Sequence, residues 1–378
     1  MRCKTHRVFI IITSVLFIST KTFAQRINVV TTAVPFLRIS PDARAGGMGN
    51  VSVATAPDAN AIFYNLAKIP FNTTRSSIAL TYTPWLKDVV NDVYMANIAG
   101  YYKLDDVQAA TAAIRYFNLG SIEFTDFQRN SLGQGRPREL SIDLGYARKL
   151  SDQLSLGITM RYINSSLASG VVNGVSYKPG SALAGDIASY YSAVDEMGMG
   201  WRFGVVFSNL GSKIAYTSNA NQKDYIPANL ALGASYTHIF QDIHSLSFGI
   251  DVNKLLVPAA PTPIIGDVTG NNDRLAKYRS QSVVSSWFKA LSGTDNMKET
   301  QASIGGEYWY NNQFAFRAGY NHAFNADRRY AAIGAGVKYN AFQLNFSYLI
   351  PANTGVVRNP LSNTLRFSLA FDMDEKQK

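Results

Sequence analysis

At 378 residues, with a formal net charge of +10 and charged residues making up only 16% of the chain, the sequence has no concentrated basic stretch of the kind a nucleic-acid partner requires. A single cysteine, Cys3, excludes a disulfide framework. Nothing in the middle reads as a linker between two cores, so one large domain is the simplest organisation.

Residues 1–24 read as a secretory signal peptide. Arg2, Lys4 and Arg7 precede an apolar run from Val8 to Ile18, and Thr22-Phe23-Ala24 offers small residues where a signal peptidase reads. The run is shorter than the ~20 residues of a spanning helix, which favours cleavage before Gln25 over a membrane anchor. Cleavage removes Arg2, Lys4, Arg7 and Lys21 and no acid, lowering the net charge from +10 to +6. Cys3 leaves with them, so the mature chain has no thiol for a disulfide, a lipid anchor or a thiolate metal site. No other metal-ligand cluster or cofactor motif is visible.

Residues 25–75 do not alternate and are expected to form a plug inside a lumen. The stretch holds Pro35, Phe36, Arg38, Pro41, Asp42 and Arg44, then Gly46, Gly47, Met48 and Gly49, and later Asn65. Glycines and prolines let such a segment turn tightly, and its charges have lumenal groups to meet. The glycines lack both the spacing and the following Lys-Ser/Thr of a phosphate loop.

From residue 76 the pattern changes to period two. In Phe342-Gln343-Leu344-Asn345-Phe346-Ser347-Tyr348 the large apolar residues take one parity and the polar residues the other, as a strand between two media requires. The segment 154–162 repeats it, as do 246–252 and 365–372. A soluble sandwich also alternates, but here the polar parity is mostly Gly, Ser, Ala, Asn and Asp with some Arg, which suits the inside of a barrel, while the continuous apolar parity suits lipid. Strands are predicted at 76–83, 93–102, 107–127, 138–149, 153–166, 183–192 and 199–209. Seven more fall at 228–239, 243–254, 300–310, 313–322, 329–339, 340–350 and 361–372. The third runs long, through Gly120, and is read as one strand with a glycine kink. The thirteen prolines all lie outside these strands.

Connections alternate between tight, as at 103–106, 150–152, 240–242 and 311–312, and long, as at 167–182, 210–227 and 255–299. Short periplasmic turns and longer external loops are the habit of outer-membrane barrels, and an even strand count puts both termini in the periplasm. The fold class is therefore all-β: a transmembrane antiparallel β-barrel of about fourteen strands over 76–378, closed by an N-terminal lumenal plug. Tyr101, Tyr102, Trp201, Tyr236, Tyr308, Trp309, Tyr310, Tyr339 and Phe371 collect near strand ends as interfacial girdles, or else as ordinary core packing. The modest positive excess is compatible with contact to outer-membrane lipid and anionic lipopolysaccharide.

Inward parity carries Arg115, Asp143, Arg161, Asp186, Arg202, Asp251, Glu307, Arg317, Lys338 and Arg366. Both signs are present, and pairs across strands such as Asp143 with Arg161, or pairs with Arg38, Asp42 and Arg44 of the plug, are expected because buried charges need partners. No catalytic motif appears. His238, His244 and His322 are the histidines left after processing, and a hydrolase built from several strands, with His322 beside a serine, is one alternative. In the longest loop, residues 282–291 are expected to form a short helix with Trp287, Phe288 and Leu291 on one face. That face is either a partner-binding surface or packing on the barrel mouth.

The run Ser40-Pro41-Asp42-Ala43-Arg44-Ala45-Gly46-Gly47-Met48-Gly49, followed by Asn65-Leu66-Ala67-Lys68, resembles the N-terminal signature of the PorV family, outer-membrane components of the type IX secretion system of Bacteroidetes within the wider FadL-like group. The similarity continues in Arg115-Tyr116-Phe117-Asn118-Leu119-Gly120, in Ser208-Asn209-Leu210-Gly211 and in Tyr225-Ile226-Pro227-Ala228-Asn229-Leu230. Leu66 departs from the Asn-Pro-Ala of the broader group. The resemblance implies a non-enzymatic component that engages a large outer-membrane translocon barrel, binds the C-terminal signal domains of exported cargo and passes cargo to a surface-attachment complex. Two other readings stay open: a FadL-like transporter of hydrophobic small molecules, with a greasy lumenal pocket and a lateral opening, and a lipopolysaccharide-modifying deacylase.

Overall fold

The computed structural model describes residues 32–85, 92–125, 128–168, 170–172, 175–218, 222–258, 260–292, 300–324, 328–352 and 364–373. The expected signal peptide and Cys3 lie outside them. Fourteen strands close into an antiparallel barrel: β1 (Ser76–Pro84), β2 (Val93–Lys103), β3 (Gln108–Leu119), β4 (Arg138–Lys149), β5 (Leu154–Ser166), β6 (Gly180–Val194) and β7 (Gly200–Gly211) form one half. The other half is β8 (Asn229–Phe240), β9 (His244–Leu255), β10 (Thr300–Tyr310), β11 (Phe314–Ala323), β12 (Arg328–Tyr339), β13 (Phe342–Pro351) and β14 (Leu365–Met373). Each strand pairs with its sequence neighbour, and β1 pairs with β14 from Ser76↔Met373 to Tyr82↔Phe367, which removes every free sheet edge.

Side-chain burial follows the strand period. On β5 Met160 is 70% exposed while its neighbour Arg161 is 3% exposed. The exposed parity continues through Leu156, Ile158 and Tyr162, an apolar outer band that water would not tolerate but hydrocarbon does. No helix among the described residues is long and apolar enough to cross a membrane; strands do the crossing.

The tight turns share one end of the barrel. Asn311 and Asn312, and likewise Gln241 and Asp242, take positive φ, the conformation whose twist matches a two-residue hairpin. The opposite end carries small two-stranded hairpins, Ile122–Thr125 with Ser131–Gly135, Gly170–Val172 with Val175–Tyr177 and Ile214–Ala215 with Lys223–Asp224. It also carries helices α2 (Val268–Ser280) and α3 (Val283–Ser292), α1 being the short turn Ala43–Gly47.

Several expectations need correcting. The long third strand does not exist: β3 ends at Leu119, Gly120 turns left-handed at φ 80°, and the chain starts a separate hairpin above the wall. Alternation continues through that hairpin, so periodicity could not mark the break. Pro84 and Pro351 fall inside strands, each at the last residue, where a missing N–H costs least. Tyr101 points inward, buried at 5% exposure and hydrogen-bonded to Thr74, and Trp309 takes the inward parity of β10 under the guanidinium of Arg317. Successive side chains on a strand point to opposite faces, which is why Tyr101 and Tyr102, and Trp309 and Tyr310, part company.

Candidate functional site

The barrel is not empty. Residues 32–75 run through its interior from the loop end to the turn end. At the loop end the N–H of Ala33 donates to the carbonyl of Tyr225 at 2.9 Å, and Phe36 is fully buried in an apolar cluster with Trp85, Met95, Phe117 and Ile163. Arg115 of β3 donates from Nη1 to the Phe36 carbonyl at 3.2 Å, and its guanidinium lies 4.8 Å from the Phe63 ring centre. The first described residues thus lie at the loop end and Met373 at the turn end; both termini, including the expected mature start at Gln25, lie outside the described residues. Arg38, in the same turn as Phe36, is exposed and borders a cavity of about 120 Å³ of mixed lining, polar at Tyr64, Arg115, Asn209 and Asn253 and apolar at Phe63 and Val206.

Lower down, α1 packs against β12, β13 and β14. Asp42 starts it, its carboxylate accepting from the Ala45 N–H at 2.8 Å, which satisfies a donor that the first helical turn leaves open. Gly46 packs closely on the wall, where a Cβ would stand 2.8 Å from both Nη1 of Arg366 and Oγ of Ser347. Met48 and Gly49 then press against wall glycines. A Cβ at Gly319 would lie 2.1 Å from the Met48 carbonyl carbon, and one at Gly305 would lie 2.3 Å from the Met48 oxygen.

Polar groups of the wall receive this segment. Asp251 on β9 accepts the N–H of Ser52 at 2.6 Å and of Val53 at 2.9 Å. Asn65 donates to the carbonyls of Val53 and Ser189, both at 3.0 Å, and caps Ala67. This capping role needs no proline at position 66. Lys68, 1% exposed, donates to the Ser52 carbonyl at 2.8 Å and to Oγ1 of Thr55 at 3.2 Å. Burial pushes its ammonium down to about 8, because leaving water disfavours the charged form.

Two ion clusters hold the interior. In the first, Arg44 donates to Glu307 from Nε at 2.9 Å and from Nη2 at 2.7 Å, and to Asp58 from Nη1 at 2.8 Å. Arg317 donates from Nε at 2.7 Å to Oε2 of Glu307, the oxygen that Arg44 Nε also reaches, and from Nη1 to Asn345 at 2.9 Å. Two cations therefore face two carboxylates. In the second, Arg161 donates to Asp143 at 2.8 Å and to Asp186 at 3.0 Å, with a further bond to Asn209. Asp143 and Arg161 are direct register partners on β4 and β5. Asp186 is aimed by an irregularity between β6 and β7: Asn209 takes a φ of 56°, and its N–H donates to Asp186 at 2.7 Å, the behaviour of a bulge that redirects a side chain. Arg202 donates to Thr237 at 2.7 Å, and Lys338 pairs with Asp372 at 3.2 Å.

The loop-end helices form the second element. Tyr278 packs edge-on to Tyr225, Lys213 donates to the carbonyls of Arg279 and Gln281, and Ser286 donates to the hydroxyl of Tyr225. Trp287, Phe288 and Leu291 do not share a face. Trp287 packs down with Val283 and Ala290 onto this cluster. Phe288 turns out at 68% exposure, together with Val284 and Leu291. The residues at 284, 288 and 291 are one helical stripe, and 287 belongs to the next.

His322 does not join a serine among the described residues; its ring meets Phe324 edge-on at 4.6 Å. His238 and His244 stack on either side of Phe240, and Nδ1 of His244 meets the Tyr308 hydroxyl at 2.7 Å, on the outer parity at the turn end. Sequence reasoning missed Asp58, Lys68 and the wall glycines. Inward-parity glycine on a strand was the available signal, since it marks close approach of another backbone.

A family model described as type IX secretion system protein PorV matches residues 21–263. No curated protein matches in sequence. Among solved structures, the toluene transporter TodX of P. putida is 13% identical with a TM-score of 0.54, covering 89% of this chain and 98% of that one. The CymD monoaromatic hydrocarbon channel is 13% identical with a TM-score of 0.53, covering 89% and 99%. At these identities the likeness is one of fold alone.

Proposed function

The chain belongs to the PorV family of the type IX secretion system, an outer-membrane barrel of that system, and from this premise we propose that it serves as a plugged, non-catalytic platform for cargo. In this reading it binds a large translocon barrel and the C-terminal signal domains of cargo, and hands cargo to the surface-attachment complex. The turn end faces the periplasm and the loop end the outside, following the habit of such barrels.

The observation that carries the reading is the interior. Residues 32–75 fill it, ion pairs anchor them, and the cavity above them is about 120 Å³ and bordered by arginine, tyrosine and asparagine. Such a lumen supports binding at its rim better than passage through it. The rim itself carries an anchored helix that presents Val284, Phe288 and Leu291 outward, an exposed apolar stripe of the kind that marks an interaction site. The transporter reading has the TodX and CymD barrel likeness in its favour. Against it stands the size of the cavity, about 120 Å³, below the ~300–1,000 Å³ of a usual small-molecule pocket.

The test is a deletion strain complemented with wild type or with Phe288→Ser and Leu291→Ser together. Secretion predicts cargo stranded in the periplasm in the deletion strain, and loss of cargo and translocon from detergent co-purification in the double variant. Normal secretion with lost uptake of hydrophobic solutes would overturn the reading in favour of transport, and normal secretion with altered lipid A in favour of the deacylase.

A further inference from the structure

Arg115 on β3 is a buried cation that no carboxylate grips among the described residues. It is 2% exposed, yet its one hydrogen bond runs from Nη1 to the Phe36 carbonyl. Nε is buried without a partner, and among the described residues Nη2 has none either. These two nitrogens share one edge of the guanidinium, the same edge with which Arg44 takes both oxygens of Glu307. The Phe63 ring, 4.8 Å away, holds the plane in place. An open charged donor at such depth is destabilising until an acceptor meets it.

The surroundings select the acceptor. Arg115 lines the cavity of about 120 Å³ in the upper lumen, where Arg38 is the other charged residue and no aspartate or glutamate takes part in the lining. The acids that act on Arg115 from behind, Asp143 and Asp186, both accept from Arg161, so with Arg38 three arginines stand against two carboxylates. Asn253 accepts from Asn229 at 3.0 Å through its oxygen, which turns its amide nitrogen into a second open donor among the described residues. Phe63 and Val206 add apolar surface beside these donors. At ~30 Å³ for each water-sized group the space holds about four such groups, enough for a carboxylate on a short stem and too little for a long alkyl chain. The side edge of a guanidinium matches the two oxygens of a carboxylate in spacing and plane.

We propose that this cavity binds a carboxylate on a short stem, its two oxygens on Nε and Nη2 of Arg115 and Asn253 donating alongside. Two sources carry this chemistry: a free short-chain acid, and the terminal carboxylate of a polypeptide entering from the loop end. The second source rests on the cargo reading above; the site does not.

Saturation-transfer NMR titration of the full mature chain in detergent and chloride-free buffer tests the site. The probes are propionate, its neutral isostere propionamide, inorganic phosphate, and N-acetyl-dialanine with a free or an amidated terminus. Propionate is expected to bind about tenfold or more tightly than propionamide, the scale of a charge-assisted hydrogen bond. Arg115→Gln should erase that preference, and Arg115→Lys, which keeps the charge and loses the fork, should weaken it several-fold. Asn253→Asp places a like charge in the lining at nearly unchanged shape; it should also weaken propionate about tenfold, and it serves if the Arg115 variants do not fold. Free N-acetyl-dialanine binding more tightly than propionate, with its amide inert, identifies a chain terminus as the source, and the reverse order identifies the free acid. Propionate binding is read without secretion, so failure of the cargo reading removes the peptide source and leaves the site. Equal binding of propionate and propionamide, tighter binding of phosphate, absence of propionate binding, or propionate binding unchanged in Arg115→Gln and in Asn253→Asp overturns the proposal.

Discussion

Glu307 on the barrel wall and Arg44 of the internal segment, 263 residues apart in sequence, are joined by two charge-assisted hydrogen bonds of 2.7 and 2.9 Å. Arg317 Nε shares Oε2 of the same carboxylate with Arg44, so one buried anion ties a plug cation to a wall cation, and Asp58 supplies the second negative charge. Replacing Glu307 with Ala leaves both guanidiniums buried beside each other, and breaking such a pair costs about 3–5 kcal/mol. Glu307→Ala is therefore expected to lower the urea midpoint in lipid vesicles and to expose residues 32–75 to protease. An unchanged midpoint would show that the cluster is solvated and contributes little.

Gly319 is a second lock. With a Cβ only 2.1 Å from the Met48 carbonyl carbon, Gly319→Ala cannot be absorbed by a side-chain rotation, since the obstacle is backbone. Overpacking of this kind costs about 1–3 kcal/mol, and more where backbone must move. The internal segment should lift from β10 and β11, giving conductance in planar bilayers that wild type lacks. A silent variant would mean that the interior is sealed elsewhere.

Lys68 links the interior to pH. Its folded value is about 8 against 10.5 for an ordinary lysine, so the unfolded chain binds this proton more tightly. Stability should rise as pH climbs through that window and be flat with respect to this group below it, at about 1.4 kcal/mol per unit of difference. Comparing wild type with Lys68→Met on either side of the window isolates the effect. A difference between the two that does not change with pH would refute it.

On α3 neighbouring residues should behave oppositely. Phe288→Ser is expected to weaken partner binding by about 2 kcal/mol, the scale of an interface anchor, with no change in unfolding. Trp287→Ala instead loosens the packing on Tyr225 and Tyr278, so protease sensitivity of the loop should increase. Reversal of the two phenotypes would place the contact surface on the other face of the helix.

Much of this molecule was legible without coordinates. Alternation such as Leu156, Ile158, Met160 against Gly157, Thr159, Arg161 demands two different media on two sides of one strand, and tight and long connections demand antiparallel neighbours. Asp143 and Arg161 could be paired on paper because a tight turn fixes their register. The end of β3 was not legible, since the hairpin beyond Gly120 keeps the same period.

What the linear order determined by itself was the wall, because strand period and turn length are local properties set by each residue and its immediate neighbours. The meeting of Arg44 with Glu307, the backbone of Met48 against Gly319, the turning of Asp186 by Asn209 and the outward face of Phe288 were decided only when the barrel closed. Each depends on groups distant in the chain being brought to one height and one azimuth, and no local preference encodes that coincidence.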